Sequence, residues 1–217
     1  MQLIATLASE AEEDRATRLS AQDWVIAALE VLLKDGIEAV QITTLADKLG
    51  VTRGSFYWHF KNRQQLLDAI LAEWRARNTD IMVQVLATAS SVEEGILNLF
   101  SVWVDHSKFN STLDQAVRDW GRRSSPIGEM VSAEDDNRVA AIAGFLERQG
   151  YPETEAFIRA RVIYFTQLSY YALEIEEPMA QRMDYLAAYY QCFTGQEIST
   201  AAAETFRARL LAKERSK

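Results

Sequence analysis

Disulfides, membrane-length apolar runs and strand punctuation are absent or scarce in this 217-residue chain. One cysteine, Cys192, permits neither an intrachain disulfide nor a thiolate metal cluster, which suits a reducing compartment and makes the cytoplasm the expected location. No apolar stretch approaches the roughly 18 uninterrupted residues of a membrane helix, and the opening MQLIATLASEAEEDR lacks the basic flank of a secretory signal. With only three prolines and nine glycines, and β-branched residues rarely alternating with polar ones, strands have little support. Histidine is also rare: His59 and His106 are the two in the chain, and HExxH, GxSxG, P-loop and GxGxxG patterns are all missing. Acid pairs such as Asp135 and Asp136 are sequence neighbours and would splay on a helix. No catalytic residue, metal ligand or cofactor is therefore expected, and an enzyme is disfavoured. Positive charge is short as well, with 23 Lys and Arg against 31 Asp and Glu for a net −8, which argues against indiscriminate coating of nucleic acid or anionic membrane.

What the sequence has in quantity is helical periodicity, and the expected fold class is all-α. Residues 1–17 form an acidic arm of net −3. A first helix is expected to start after Ser20, which stands at capping-box spacing from Asp23, and to end near Gly36. Thr43 or Thr44 is expected to cap a short second helix, TLADKL, that stops at Gly50, and Thr52 a third, RGSFYWHF, of about two turns. A long fourth helix follows from near Asn62, with apolar positions from Leu66 to Leu86 recurring at three and four. Further helices are expected at about 92–107, 110–123, 127–149, 153–175, 179–193 and 199–214. The organisation read from this is an arm, 1–17, a three-helix unit, 18–64, and a larger helical body, 65–217.

The informative stretch is residues 42–70, ITTLADKLGVTRGSFYWHFKNRQQLLDAI. Leu45, Ala46 and Leu49 would face inward from one short helix, and Phe56 and Phe60, four apart, would anchor the next on the same core. That leaves Arg53, Gly54, Ser55, Tyr57, Trp58 and His59 mainly outward, with partial burial the alternative for Trp58 and a structural role the alternative for His59. Residues 43–63 carry Lys48, Arg53, Lys61 and Arg63 against Asp47, a net +3 inside an acidic chain. Hydroxyl, phenol, imidazole and ammonium donors beside helix N-termini are the set that binds phosphate oxygens, although Lys48 and Arg63 also fit simple solvated positions.

In these residues the chain resembles the DNA-binding signature of the TetR family of bacterial transcriptional regulators. The likeness runs from about Trp24 to Trp74, and its specific elements are Thr43-Thr44, Leu45-Ala46, Leu49-Gly50-Val51, the run Gly54 to Phe60, and Lys61-Asn62-Arg63 with Leu66-Leu67. The resemblance implies that Thr43 and Lys61 contact phosphate, with Thr44 and Thr52 at helix starts. It places Arg53, Gly54 and Ser55 at base edges, and Tyr57, Trp58 and His59 on backbone or bases. It further implies a homodimer on a palindromic double-stranded DNA operator, repression, release by a small-molecule effector, and a fourth helix that acts as a lever. The alternative is a helical interaction or structural protein carrying a relic helix-turn-helix.

For the body, with net charge −6 over residues 78–217, the expectations are coarser. An effector pocket is expected among Phe100, Trp103, Phe109, Trp120 and Phe145, with His106, Asp105, Asp119 and Arg118 as polar handles. An ordinary aromatic core is the plain alternative. Cation–π attraction would suit a lipophilic cation, and Arg118, Arg122 and Arg123 an anion. The helices at 153–175 and 179–193 carry more apolar surface than one core needs, so a dimer interface is expected through Phe157, Tyr164, Leu168, Tyr171, Met183, Leu186 and Tyr190.

Overall fold

The computed structural model describes residues 19–105 and 107–214. The acidic arm and His106 thus lie outside the described residues. Within them the chain is helical, without strands: α1 Ala21–Asp35, α2 Ile42–Leu49, α3 Arg53–Phe56, α4 Arg63–Arg75, α5 Ile81–Ala87, α6 Val92–Trp103, α7 Ser111–Gly121, α8 Ser125–Arg148, α9 Glu153–Ala172, α10 Met179–Asp184, α11 Leu186–Thr194 and α12 Thr200–Glu214. The chain forms two compact units, Met1–Arg75 with Thr112–Glu129, and Ala76–Ser111 with Met130–Lys217. This division differs from a break after residue 64. The fourth helix carries its apolar face on through Trp74, and α7 packs in the same unit.

In the first unit α1 begins as its sequence dictates. Ser20 Oγ accepts from Asp23 N, and the Asp23 carboxylate accepts from Ser20 N at 2.7 Å, which holds the Asp23 carboxyl below its ordinary range. Trp24, Ala27, Ala28, Val31 and Leu32 are buried along its inner face. Phe56 is fully buried against Trp24, ring centroids 5.3 Å apart and edge to face, and stacks on Phe60. Gly50 closes α2 at φ +67°, ψ +40°, where a side chain would strain the backbone, and Val51 N then donates back to Ala46 O. Trp74 Nε1 donates to the buried Asp114 Oδ1 at 2.8 Å, and Arg118 Nε donates to Asp114 Oδ2 at 2.8 Å, which ties α4 to α7. Gly121 faces Gly128 so closely that a Cβ at Gly121 would lie 3.2 Å from the Gly128 Cα.

The expected long fourth helix is interrupted. Between α4 and α5 the backbone makes a π-helical turn over Ala76–Asp80. Periodicity could not reveal it, because Trp74 and Ile81 are seven apart, two ordinary turns. The turn buries polar residues, and they are satisfied: Asn78 Nδ2 donates to Asn110 O at 2.9 Å, and Thr79 Oγ1 accepts from Arg138 Nε at 3.0 Å.

The second unit packs α5, α6, α9, α11 and most of α8 around Met82, Leu86, Leu99, Trp103, Phe109, Ile142, Phe145, Ile163, Tyr164 and Phe193. A smaller cluster, Leu97, Met183, Leu186, Phe206 and Leu210, brings in α10 and α12. Arg138 is completely buried in this unit and donates to Tyr164 Oη, which in turn donates to Asp135 at 2.5 Å. The expected helix at 179–193 is two, broken at Tyr185. No described helix is long and apolar enough to cross a membrane.

Candidate functional site

The first candidate surface is built on α2 and α3. The N-cap of α2 is Gln41 rather than a threonine, and no side chain caps it. Thr43 and Thr44 therefore sit inside the first turn, both exposed. Thr52 is the N-cap of α3, but its hydroxyl makes no capping bond. The third helix is shorter than expected. Only Arg53–Phe56 is α-helical, and tighter bonds such as Tyr57 N to Gly54 O and Trp58 N to Ser55 O carry the turn onward. Burying Phe56 and Phe60 drives the remaining side chains outward.

Tyr57 is 60% and Trp58 76% exposed, so Trp58 is no part of the core. Arg53, Gly54 and Lys61 are exposed beside them. Ser55 is not: it is turned inward, 3% exposed, its hydroxyl without a partner among the described residues. His59 is half-buried, with Nε2 enclosed. The four cations of the stretch divide into two pairs. Lys48 pairs with Glu30 at 2.9 Å, and Arg63 donates to Val40 O at 2.6 Å and Ile37 O at 3.0 Å, holding the loop before α2. Sequence reasoning gave Arg63 no such role, because its partners are main-chain carbonyls more than twenty residues away. Arg53 and Lys61 are the cations left to face outward. The Lys61 main chain is pinned, its N–H donating to Gln65 Oε1 at 2.7 Å, while Asn62 Oδ1 accepts from Gln65 N.

Gly54 has no internal reason to be glycine. Its φ is ordinary, and an added Cβ would meet only Thr52 Oγ1 at 3.5 Å, a normal contact. Missing side-chain bulk on an exposed, aromatic and basic surface points to close approach by something outside the protein.

The residues expected to line one pocket do not come together. Arg118 and Trp120 belong to the first unit, Arg118 bound to Asp114 and Trp120 beside Leu32, Ile37 and Arg123. Asp119 pairs with Arg122 on the surface. Asp105 is buried in the second unit under Lys213. Phe145 is wholly buried with its ring against Gly95, and Phe109 stacks on Tyr171 at 5.4 Å. Phe100 and Trp103 do line a cavity, with Ile163, Gln167, Tyr170, Arg182, Met183, Leu186, Tyr189 and Phe193 among the other lining residues. Gln167 carried a usable signal, a polar residue in a helix apolar round most of its circumference.

Of the residues expected at a dimer interface, Tyr164, Met183, Leu186 and Tyr190 are buried within their own unit, Leu168 is half-buried, and Tyr171 is held by Phe109 and by a bond to Trp103 O. Phe157 is exposed, and it shares the outer face of α9 with Ile158, Val162 and Phe165. A helix apolar on two sides does not announce which side its own chain covers.

Residues 26–70 match the profile of the family described as bacterial regulatory proteins, tetR family. The chain is 43% identical over 63 residues to the tetracycline repressor protein class D of Escherichia coli, covering 29% of each chain. It is 43% identical over 65 residues to the HTH-type transcriptional regulator SrpR of Pseudomonas putida, 30% of this chain and 28% of that one. It thus spans under a third of the length of these curated relatives. Over the whole fold it superposes on AmtR of Mycobacterium smegmatis with TM-score 0.59 at 16% identity, covering 90% of this chain and 95% of that one. The ketosteroid regulator KstR2 of Mycobacterium tuberculosis gives TM-score 0.57 at 18% identity over 82% and 95%. Residues 26–70 are thus similar to the tetR-family profile, and the chain shares the helical fold of these solved regulators.

Proposed function

We propose that this protein is a ligand-responsive, DNA-binding transcriptional regulator and acts as a repressor. The observation that carries this reading is the outward face of α3, where Arg53, Tyr57, Trp58 and Lys61 surround a glycine that the protein itself does not require. Thr43, Thr44 and Thr52 extend that face with hydroxyls. In this reading Lys61 and the threonines hold phosphates, and Arg53 donates two bonds to a guanine edge, worth about 1–3 kcal/mol of discrimination. Tyr57 and Trp58 pack on sugar and backbone. Ser55 and His59 support α3 from beneath rather than read bases.

The protein works as a homodimer on a palindromic operator in the bacterial cytoplasm. Supporting the dimer is the exposed α9 face, where Phe157, Ile158, Val162 and Phe165 present four apolar side chains, 41–51% exposed, in one stripe. The cavity of the second unit is the effector site, and effector binding shifts the protein between states of different operator affinity. The α4, π turn and α5 segment and the helix α8 each run from one unit into the other, and the shift acts through them.

Sequencing the genomic fragments retained by the purified protein tests the reading. Enrichment of an inverted repeat whose binding weakens steeply with salt is expected. Indifferent retention of all fragments, or none, refutes it and leaves the helical interaction protein.

A further inference from the structure

We infer that the effector cavity is built for an apolar acid, a ligand with a hydrocarbon or aromatic body and a carboxylate. The inference rests on the second unit being the effector domain and adds the ligand's chemistry. Its apolar walls are Phe100, Ile163, Met183, Leu186 and Phe193, with Phe100 and Phe193 stacked 6.0 Å apart. The polar groups among the lining residues sort into satisfied and unsatisfied. Tyr170 and Tyr189 bond each other through their hydroxyls at 2.9 Å, and Tyr170 also donates to Glu177 at 3.1 Å. Trp103 Nε1 and Gln167 Nε2 have no partner among the described residues, though the two residues are only 2% and 6% exposed. Arg182 lies over the Tyr170 ring, 5.0 Å from its centroid, and makes no ion pair within the described residues.

All three unmet groups are donors, and one is a full positive charge. A buried donor without an acceptor costs about 1–3 kcal/mol, so Trp103 and Gln167 stand to gain from an acceptor, and the half-buried Arg182 from an anion. An amine would add further donors and a repelling charge. A carboxylate offers about four lone-pair sites and pairs with a guanidinium. In a neighbouring groove of this unit the charged groups Asp105, Lys213 and Arg209 already have partners: Asp105 is met by Lys213 and Ser107, and Arg209 by Ser101.

The cavity's free space is only about 30 Å³, so a ligand must displace part of the wall. Met183 and Arg182 stand on α10, a helix of six residues that follows Pro178 and stops at Tyr185. That short segment is the part of the wall able to yield, and an unbranched Met repacks readily. The closed cavity and the ligand-opened one are then different states of the unit, which is the difference that regulation requires.

Calorimetry and ligand-detected NMR on the full chain, with benzoate, phenylacetate, 2-naphthoate and octanoate against the matching amides and amines, test the inference. The acids are expected to bind and the amines not. Arg182→Gln should weaken acid binding about tenfold or more, with Arg182→Lys recovering part of it, and Trp103→Phe or Gln167→Leu should each weaken it severalfold. Thermal melts report whether each variant is folded, and a lost fold in one leaves the other three to decide. Failure of every acid at millimolar concentration, equal binding of amides or amines, or folded variants that all bind as the parent does, overturns it. Operator affinity is titrated in parallel. Acids that bind without altering it uphold the ligand chemistry and overturn the effector reading, whereas intact operator binding with no acid binding overturns the inference alone.

Discussion

Replacing Gly54 by alanine separates stability from recognition. Within the protein the new methyl meets only Thr52 Oγ1, at 3.5 Å, and the backbone at this position is in a conformation open to any residue. Gly54 is the second residue of α3. Alanine there lowers the conformational freedom of the unfolded chain and favours the helix, so the variant should be more stable by about 0.4–1 kcal/mol. At an interface that the α3 backbone approaches closely, the same methyl is an obstruction. Overpacking of one methyl costs about 1–3 kcal/mol, and a dimer carries it twice, so operator binding should fall by at least about thirtyfold. Denaturant unfolding measures the first effect and fluorescence anisotropy on the retained operator the second. A destabilised variant would show an internal role for Gly54 that its surroundings do not contain. Unchanged operator affinity would remove the argument that this glycine marks the contact.

Salt dependence tests the sorting of cations: Lys61→Ala should reduce the slope of log K against log salt by about 1.8 for a dimer, from about 0.9 per phosphate, with Lys48→Ala close to neutral. Equal losses for the two would contradict it. Trp58→Ala, at a residue 76% exposed, should leave unfolding free energy within about 0.5 kcal/mol while weakening operator binding. Gly95→Ala would drive a methyl into the Phe145 ring and should destabilise by about 1–3 kcal/mol or more, read from chemical unfolding. Burial alone would raise the Asp105 carboxyl, but hydrogen bonds from Lys213 and Ser107 and the Lys213 charge outweigh it and hold the group at about 2. A carboxyl depressed on folding stabilises above its unfolded value of about 3.9, and that stability is lost as pH falls toward 2. The stability gap between the parent and Lys213→Met should therefore hold steady at neutral pH and narrow between about pH 4 and 2. A gap that widens on acidification would contradict this assignment.

Much of the first unit was legible in the sequence because its signals are local. Ser20 with Asp23, Gly50 at a left-handed turn and Phe56 with Phe60 each act within a few residues, and each was found in place. Exposure of Tyr57 and Trp58 followed from the inward demand of those two phenylalanines. Ser55 was expected outward but is buried beside Phe56, its neighbour in the single α-helical turn of α3. In the body, aromatic content was a poor guide to the cavity. Phe109, Phe145 and Trp120 were all expected to line it, yet two fill the core of the second unit and the third lies in the first.

The sequence by itself determined the helical class, the start of α1 at Ser20 and the stop of α2 at Gly50, since caps, turns and apolar periodicity are written in adjacent residues. Only the tertiary structure decided which cations remain available, where the chain divides, and which apolar faces are covered. Arg63 meets its carbonyls, Arg118 its carboxylate on α7, and Tyr164 its buried arginine through packing or helical register that composition does not record. The same holds for the cavity, whose unmet donors on Trp103 and Gln167 become visible only once the packing around them is known.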